Sequence, residues 1–151
     1  MTHEEMVQEL WDREKIRELT YEYVLAIEAQ DADRLVGLFV ENGSVDFSSV
    51  GAGVIEGSDA MKAFYTTTWP LAVKPFFTNH MIKIDGNKAK GFCSLENRAT
   101  RGDESLIGAG RLHDTYEKID GEWKFSTRRV EMFYLVPLSE GWAGPNGPGH
   151  L

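Results

Sequence analysis

The sequence is poor in cysteine, in clustered basic residues and in long apolar runs, and each shortage excludes a class of protein. The single cysteine, Cys93, cannot form an internal disulfide, so the sequence is not that of a disulfide-rich secreted domain. The 24 acidic residues outnumber the 16 basic ones and give a net charge of −8, which disfavours nucleic acid and anionic lipid as partners. No apolar stretch approaches the roughly 18 residues needed to cross a bilayer. We therefore expect neither a membrane nor a nucleic acid partner.

The length of the chain predicts one domain, and its first residues predict a protein of a reducing compartment. A chain of 151 residues with 42% apolar side chains can fill one hydrophobic core. The first residues, MTHEEMVQEL, lack the basic and apolar regions of a signal peptide, so we expect a cytoplasmic protein. Residues 1–140 are predicted to form the domain. Residues 141–151 form a tail rich in glycine and proline, predicted to be disordered or to cover a neighbouring subunit.

The first half of the chain shows the apolar spacing of helices. Apolar residues recur at three- and four-residue steps from Glu4 to Ala29, which predicts a long helix. A short helix is predicted for Asp31 to Val40, followed by a strand over Ser44 to Ser49. A third helix is predicted for Asp59 to Thr68, where the following proline would end it.

The second half alternates apolar and polar residues between turn signals, as strands do. The turns include two Asp-Gly pairs, which favour type I′ hairpins. Helices followed by an antiparallel meander predict an α+β fold in which a curved antiparallel or mixed sheet wraps around three N-terminal helices. The predicted strands are Phe76 to Ile84, Ala89 to Arg98, Leu106 to Ile119, and Trp123 to Val136.

Glu28 and Tyr23 lie near the end of the first predicted helix, loosely on one side of it. Glu28 falls at the edge of the buried face, where a carboxylate could be partly desolvated and act as a base. The alternative is a solvated acid at a helix end.

Two histidines lie within predicted strands. His80 shares its strand parity with Ile82 and should face the apolar side, as a satisfied core residue or as a base. His113 alternates with polar residues and is expected to be structural or interfacial.

The last predicted strand has two registers, with Arg128 on one face and Arg129 on the other. An arginine facing an apolar cavity would need a carboxylate partner, such as Glu28, or a developing anion on the substrate. The other reading is a solvated arginine on the outer face. No metal-ligand spacing and no phosphate-binding glycine loop is present, so no metal and no cofactor are predicted.

The chain contains a series of motifs in a defined order: Tyr23-x4-Glu28, Asp31-x-Asp33-x-Leu35-x3-Phe39, Ile55-Glu56-Gly57, Asn79-x2-Ile82-x2-Asp85-Gly86-x2-Ala89, and Tyr116-Glu117-x2-Asp120-Gly121-x-Trp123-x-Phe125. Over residues 14–138 these motifs resemble the SnoaL-like branch of the nuclear-transport-factor-2-like superfamily. Within that branch the pattern is most similar to hexachlorocyclohexane dehydrochlorinase, with scytalone dehydratase and bile-acid 7α-dehydratase more distant, and all three are eliminases.

The resemblance implies a cone-shaped fold, association as a homodimer or homotrimer, and a cofactor-independent elimination. The family's acid position falls on Glu28, and a tyrosine and an arginine used by members of the branch fall on Tyr23 and Arg128. The family's histidine base falls on Pro75, which cannot accept a proton. His80 is then the remaining histidine that could act as a base.

Two functions therefore stay open. The first is a lyase or isomerase that removes a proton from a small hydrophobic substrate, with Glu28 as base or as the group that orients the base, and Tyr23 or Arg128 stabilising charge. The second is a binding protein for a hydrophobic ligand that has lost the family's histidine base. The residues expected to contact the ligand are Phe39, Val45, Phe64, Trp69, Phe77, Asn79, Leu95, Leu112 and Met132.

Overall fold

The first helix, α1, spans His3–Ala29 in the computed structural model, which describes residues 1–143. Thr2 and Glu5 form a capping box at its start, and the helix ends at Gln30, whose φ of 54° is left-handed. The predicted helix is confirmed at both ends. Its inner face packs on the sheet through Ile16, Leu19, Tyr23, Ala26 and Ile27.

The segment after α1 contains less helix and more strand than predicted. The second helix, α2, covers only Ala32–Val36, and strand β1 spans Phe39–Asp46. Phe39, which the periodicity placed in a helix, instead pairs with Phe125 of the last strand. The short strand β2, Val54–Glu56, was not predicted, and the third helix, α3, covers Ser58–Thr68 as expected.

Six strands form one mixed sheet in the order β2-β1-β6-β5-β4-β3, so the predicted α+β fold is confirmed. Only the contact between β1 and β6 is parallel. All four predicted C-terminal strands are present, each one longer than expected: β3 is Lys74–Asp85, β4 is Lys88–Arg101, β5 is Glu104–Ile119, and β6 is Glu122–Pro137.

Only one of the two Asp-Gly pairs forms the expected turn. Between β5 and β6 both central residues, Asp120 and Gly121, have positive φ, as a type I′ turn requires. Between β3 and β4 the central residues are Gly86 and Asn87, and only the glycine has positive φ. The Asp-Gly prediction is therefore wrong there by one residue.

Bulges in the long strands curve the sheet and change which residues face inward. The bulge in β3 includes Asn79, whose φ is 55°. A bulge in β6 leaves Ser126 as an extra residue, and its hydroxyl lies 2.7 Å from that of Thr115 on the outer face. Simple alternation along the strand predicted that Ser126 and Arg128 share a face. The bulge separates them, and Ser126 lies on the outer face instead.

The concave face of the sheet holds the core and the site described below. The inward residues of the central strand β5 are Leu106, Gly108, Gly110, Leu112, Asp114 and Tyr116. Among residues 1–143 no helix is both long and apolar enough to cross a membrane. The predicted tail lies mostly outside the described residues, because the description ends at residue 143.

Candidate functional site

A cavity of about 350 Å³ lies between the helices and the concave face of β4, β5 and β6. Its walls are largely apolar, and this volume suits a small organic ligand. Six of the residues that the sequence nominated for ligand contact line it, namely Phe64, Trp69, Phe77, Leu95, Leu112 and Met132.

Three nominated residues lie elsewhere, which corrects their assignment to the cavity wall. Phe39 and Val45 are 4% and 0% exposed within the core, and the ring of Phe39 packs at 5.1 Å from that of Phe125. Asn79 is exposed at the β3 bulge, where its amide donates to the hydroxyl of Ser94. The parallel pairing of β1 with β6 positions Phe39 and Val45, and the bulge in β3 positions Asn79. The alternation pattern shows neither feature.

Two tyrosine hydroxyls meet at the cavity. Tyr23 on α1 and Tyr65 on α3 both line it, and their hydroxyl oxygens are 2.7 Å apart. Burial raises the pKa of Tyr23, against the opposing effect of the Arg128 charge, and burial and the neighbouring Tyr23 raise that of Tyr65 well above its usual value. Both hydroxyls are therefore protonated at neutral pH. One O–H binds the other oxygen, and the second O–H is left to donate to a ligand.

Arg128 and Asp114 form a buried ion pair behind Tyr23. The arginine Nε and Nη2 donate to the two oxygens of Asp114 at 2.8 and 2.9 Å, and neither side chain is exposed. The guanidinium carbon lies 4.3 Å from the ring centroids of both Tyr23 and Phe125. Burial alone would lower the pKa of Arg128, but the charge of Asp114 outweighs it and the pKa is raised. The cation is therefore permanent.

The ion pair continues into Tyr116 and His80. The Tyr116 hydroxyl donates to Asp114 at 3.0 Å, and Nε2 of His80 lies 3.0 Å from the same hydroxyl. Because the Tyr116 proton points to Asp114, Nε2 of His80 carries the proton that this hydroxyl accepts. Burial lowers the pKa of His80 to about 4, so the imidazole is neutral at pH 7. His80 lies on the inner face, as its parity predicts, but it does not line the cavity.

Glu28 is brought to neither the cavity nor the ion pair. It is exposed at the end of α1, and no hydrogen bond or ion pair involves it among the described residues. Of the two interpretations of Glu28, the structure gives the solvated acid at a helix end, because Tyr23, Ala26 and Ile27 turn the buried face of the helix away from it. The partner of Arg128 is Asp114.

His113 lies on the outer face of the sheet, and Pro75 lies on the wall of the cavity. His113 is on the outer face, where Nε2 lies 2.6 Å from the carboxylate of Glu131, which lowers the pKa of that glutamate. Pro75 lines the cavity beside Asn97 of β4. The wall position that the resemblance assigns to a histidine base is therefore apolar.

Four polar residues on which the site depends were not nominated from the sequence: Tyr65, Asn97, Asp114 and Tyr116. Asp114 had a readable signal, because it alternates with Leu112 and Tyr116 on a strand and so shares their inward face. Tyr65 lies in the predicted third helix, but nothing in the local pattern shows that it meets Tyr23. Asn97 had the same kind of signal as Asp114, because it shares the parity of Leu95 and Ala99 on its strand.

The arrangement offers hydrogen-bond donation inside an apolar cavity, backed by a fixed positive charge. Such donors are strong because the surrounding dielectric is low and they need no reorganisation. Among the described residues no carboxylate and no imidazole lines the cavity. Of the four residues nominated as catalytic, the structure brings Tyr23 and Arg128 together, connects His80 to them through Tyr116 and Asp114, and leaves Glu28 apart.

Comparison with known proteins agrees with this architecture. Gamma-hexachlorocyclohexane dehydrochlorinase from Sphingobium indicum is 25% identical to this chain over 144 residues, which is 91% of each protein. The crystal structure of LinA matches with a TM-score of 0.81 at 23% identity, covering 92% of this chain and 97% of that one. Hexachlorocyclohexane dehydrochlorinase LinA-type3 from Novosphingobium barchaimii matches with a TM-score of 0.79 at 21% identity, over 92% and 98% of the two chains.

The model of the SnoaL-like domain matches residues 8–129, which include most of α1, all of α2 and α3, and most of the sheet. The match covers Tyr23, Tyr65, Asp114 and Arg128 and extends over far more than half of the chain. The distant curated relatives carry names of lyase enzymes. The chain belongs to the SnoaL-like family.

Proposed function

We propose that the protein is a lyase or isomerase that acts next to a carbonyl group of a small, largely apolar substrate. The observation that carries the proposal is the Tyr23 and Tyr65 hydroxyl pair in the apolar cavity, 2.7 Å apart. The curated relatives are named hexachlorocyclohexane dehydrochlorinases, and loss of hydrogen chloride is an elimination, so these names support an elimination here.

The tyrosine pair would carry the negative charge that develops on the substrate. When a proton leaves the carbon next to a carbonyl, charge accumulates on the carbonyl oxygen, and a donor within hydrogen-bond distance of that oxygen lowers the barrier. The proton would pass to a water molecule in the cavity, because no carboxylate and no imidazole among the described residues lines it. In an elimination the β-substituent would then leave, as chloride or, with a proton returned from that water, as water. The Arg128 guanidinium against the Tyr23 ring favours negative charge nearby and makes Tyr23 the stronger donor of the pair. Tyr23 then donates to Tyr65, and Tyr65 donates to the substrate.

The second candidate is a binding protein for the same kind of ligand. The observation that favours it is the lack of a proton acceptor on the cavity wall, where Pro75 stands at the family's histidine position and Glu28 is exposed. In that case the tyrosine pair would orient a carbonyl group without turnover.

The experiment compares turnover and binding with one set of compounds. A β-hydroxy cyclic ketone and its β-chloro analogue would be followed by enone absorbance, and γ-hexachlorocyclohexane by chloride release. For an enzyme, Tyr65→Phe should lower kcat/KM for the ketones about 100-fold, the usual cost of one lost oxyanion donor. Unchanged turnover in Tyr65→Phe would contradict the proposed role, and binding without turnover of any compound would favour the binding protein.

A matched pair of variants tests whether the cavity is the site. Ala52 lines the cavity and is exposed, so Ala52→Trp should obstruct its mouth without disturbing the core. Ala63 is an exposed alanine of α3 that does not line the cavity. Ala52→Trp should weaken binding and turnover, and Ala63→Trp should leave both unchanged.

A further inference from the structure

Asn97 lines the cavity and carries a buried hydrogen-bond acceptor that no donor among residues 1–143 satisfies. Its side-chain oxygen Oδ1 is buried, and no donor among the described residues lies within hydrogen-bond distance. Asn97 lines the same cavity as the tyrosine pair. A buried acceptor without a partner destabilises a protein, so such groups call for a specific explanation.

The residues around Asn97 explain why the sheet cannot satisfy it. Its two cross-strand neighbours are Pro75 on β3 and Gly108 on β5, and neither carries a polar side chain. Its neighbours on the same face of β4 are Leu95 and Ala99, both buried. Asn97 is therefore a lone amide within an apolar part of the wall.

Gly108 lets the neighbouring strands pack closely beside the amide. A Cβ atom at position 108 would lie 2.9 Å from Cδ1 of Leu135, 3.1 Å from the backbone oxygen of Tyr134 and 3.6 Å from the Cβ of Asn97. Leu135 and Asn97 both line the cavity. A side chain at position 108 would therefore displace Leu135 and disturb this part of the cavity wall.

The acceptor and the tyrosine pair lie at different depths of the cavity. Leu95 and Phe77 form a cross-strand pair, and the Phe77 ring lies 6.1 Å from that of Tyr23. Asn97 and Pro75 form the next inward-facing pair, about 7 Å further along the strands. The cavity thus presents a donor near Tyr23 and an acceptor one residue pair beyond it.

We propose that Asn97 determines specificity for a substrate with a hydroxyl or N–H donor on the side of the molecule away from its carbonyl group. This inference rests on the proposed function for the carbonyl end and extends it to the other end. The ligand would be a ring compound whose carbonyl oxygen accepts from Tyr65. Its donor would bind Oδ1 of Asn97 once the amide rotates this buried oxygen into the cavity. A site with a buried, unpaired acceptor discriminates against an analogue that lacks the donor.

The test is a set of matched ligands measured against matched variants by calorimetry. The probes are 6-hydroxy-2-tetralone, which has both groups, 2-tetralone, which lacks the hydroxyl, and 5,6,7,8-tetrahydro-2-naphthol, which lacks the carbonyl. Wild type should bind the hydroxy-ketone about 10- to 100-fold more tightly than 2-tetralone, as expected for one buried hydrogen bond. In Asn97→Leu this ratio should fall to near one.

Thr68→Val is the control, because Thr68 also lines the cavity but its hydroxyl already donates to the backbone oxygen of Tyr65. The ratio of the two ketone affinities should be unchanged in Thr68→Val. An Asn97→Leu protein that keeps the wild-type ratio would overturn the role of Asn97. A second measurement needs no ligand: Asn97→Leu should unfold at higher urea concentration than wild type, and a large decrease would show that the amide is satisfied within the protein.

The two proposals can fail separately. If the hydroxyl preference depends on Asn97 but Tyr65→Phe binds the ketones and the naphthol as wild type does, the specificity role stands and the carbonyl role fails. If Tyr65→Phe loses the preference for ketones while the ligand's hydroxyl group does not affect binding to wild type, the carbonyl role of Tyr65 stands and the specificity role of Asn97 fails. Failure of all three probes to bind would overturn both.

Discussion

The concave face of the sheet has two ends, built from the same strands and filled in opposite ways. At one end, which we term the packed end, Asp114, Tyr116 and Arg128 fill the interior with a buried ion pair and its hydrogen bonds. At the other, the cavity end, β5 has Gly108 and Gly110 at its inward positions, and the cavity lies between the neighbouring inward side chains of the sheet and the helices. Alternate residues of one strand thus decide where this cone is rigid and where it can hold a ligand.

The packed end and the cavity end also differ in the charges that they carry. The packed end holds a full positive charge that contacts aromatic rings and a carboxylate, all of them buried. The inner part of the cavity end carries neutral polar groups, which include the tyrosine hydroxyls and the Asn97 amide, and its charged lining residue Lys74 is exposed. A neutral, apolar ligand therefore meets directed hydrogen bonds, while the charge acts on it through the ring of Tyr23.

The largest expected effect comes from breaking the ion pair of the packed end. Arg128→Met leaves the carboxylate of Asp114 buried without its partner, which should lower the free energy of unfolding by about 3–5 kcal/mol. The double variant Arg128→Met with Asp114→Leu removes both charges and should cost less than Arg128→Met alone. Urea denaturation measures both. A single variant as stable as wild type would show that the pair does not hold this end together.

The glycines of the cavity end should differ from each other. A Cβ at Gly110 would lie 2.3 Å from the backbone oxygen of Glu131, which cannot move away easily, whereas the nearest atom to a Cβ at Gly108 is the flexible end of Leu135. Gly110→Ala should cost about 1–3 kcal/mol of unfolding free energy, and Gly108→Ala should cost less. Thermal melting of the two proteins compares them directly. Equal losses would mean that the sheet adjusts at both positions.

The packed end should weaken in acid through His80. Its pKa is lowered to about 4 in the folded protein from 6.5, so between these pH values the unfolded chain binds a proton that the folded protein does not. Stability should fall as the pH drops from about 6.5 to 4, by about 1–2 kcal/mol after allowance for partial exposure, and this loss should level off below pH 4.

The measurement for His80 is urea denaturation at several pH values. His80→Gln should show a smaller loss over this window than wild type, because glutamine binds no proton. Substitution of the exposed His3 is the control and should leave the pH dependence unchanged. A His80→Gln protein with the wild-type pH dependence would show that another group is responsible.

The smallest effect is expected at Glu28, which belongs to neither end. Because its side chain is exposed, Glu28→Gln should change the unfolding free energy by less than about 0.5 kcal/mol. It should also leave turnover of the β-hydroxy ketone at the wild-type rate. A large loss of turnover with unchanged stability would restore the catalytic role that the family resemblance implies for Glu28.

Much of the fold could be predicted because its signals are local. The three- and four-residue apolar spacing of α1 and the alternation of β5 and β6 follow from the geometry of a helix and a strand, and both elements are present. The errors lie where pairing between distant segments decides. Phe39 lies in a strand because it pairs with Phe125, and Ser126 leaves the inner face because of a bulge opposite Thr115.

The candidate site could be predicted only in part, for a related reason. Tyr23 and Arg128 were nominated and are brought together, with the guanidinium carbon 4.3 Å from the tyrosine ring. The sequence left Arg128 either a carboxylate such as Glu28 or a substrate anion as its partner, and in the structure the partner is Asp114, directly across the β5 and β6 pair. The register between strands determines which side chains become partners, and the periodicity within one strand gives no information on that register.

The amino-acid order alone was enough to specify the class of fold, because burying apolar faces of fixed period leaves few layered arrangements. It also specified the acidic charge and the residue types from which a site could be made. The tertiary structure decided which of these residues meet: it joined Tyr23 to Tyr65, gave Arg128 its carboxylate, left Glu28 in solvent and isolated the Asn97 amide. The physical reason is that a side chain's neighbours depend on strand register, bulges and helix packing between residues far apart in the chain.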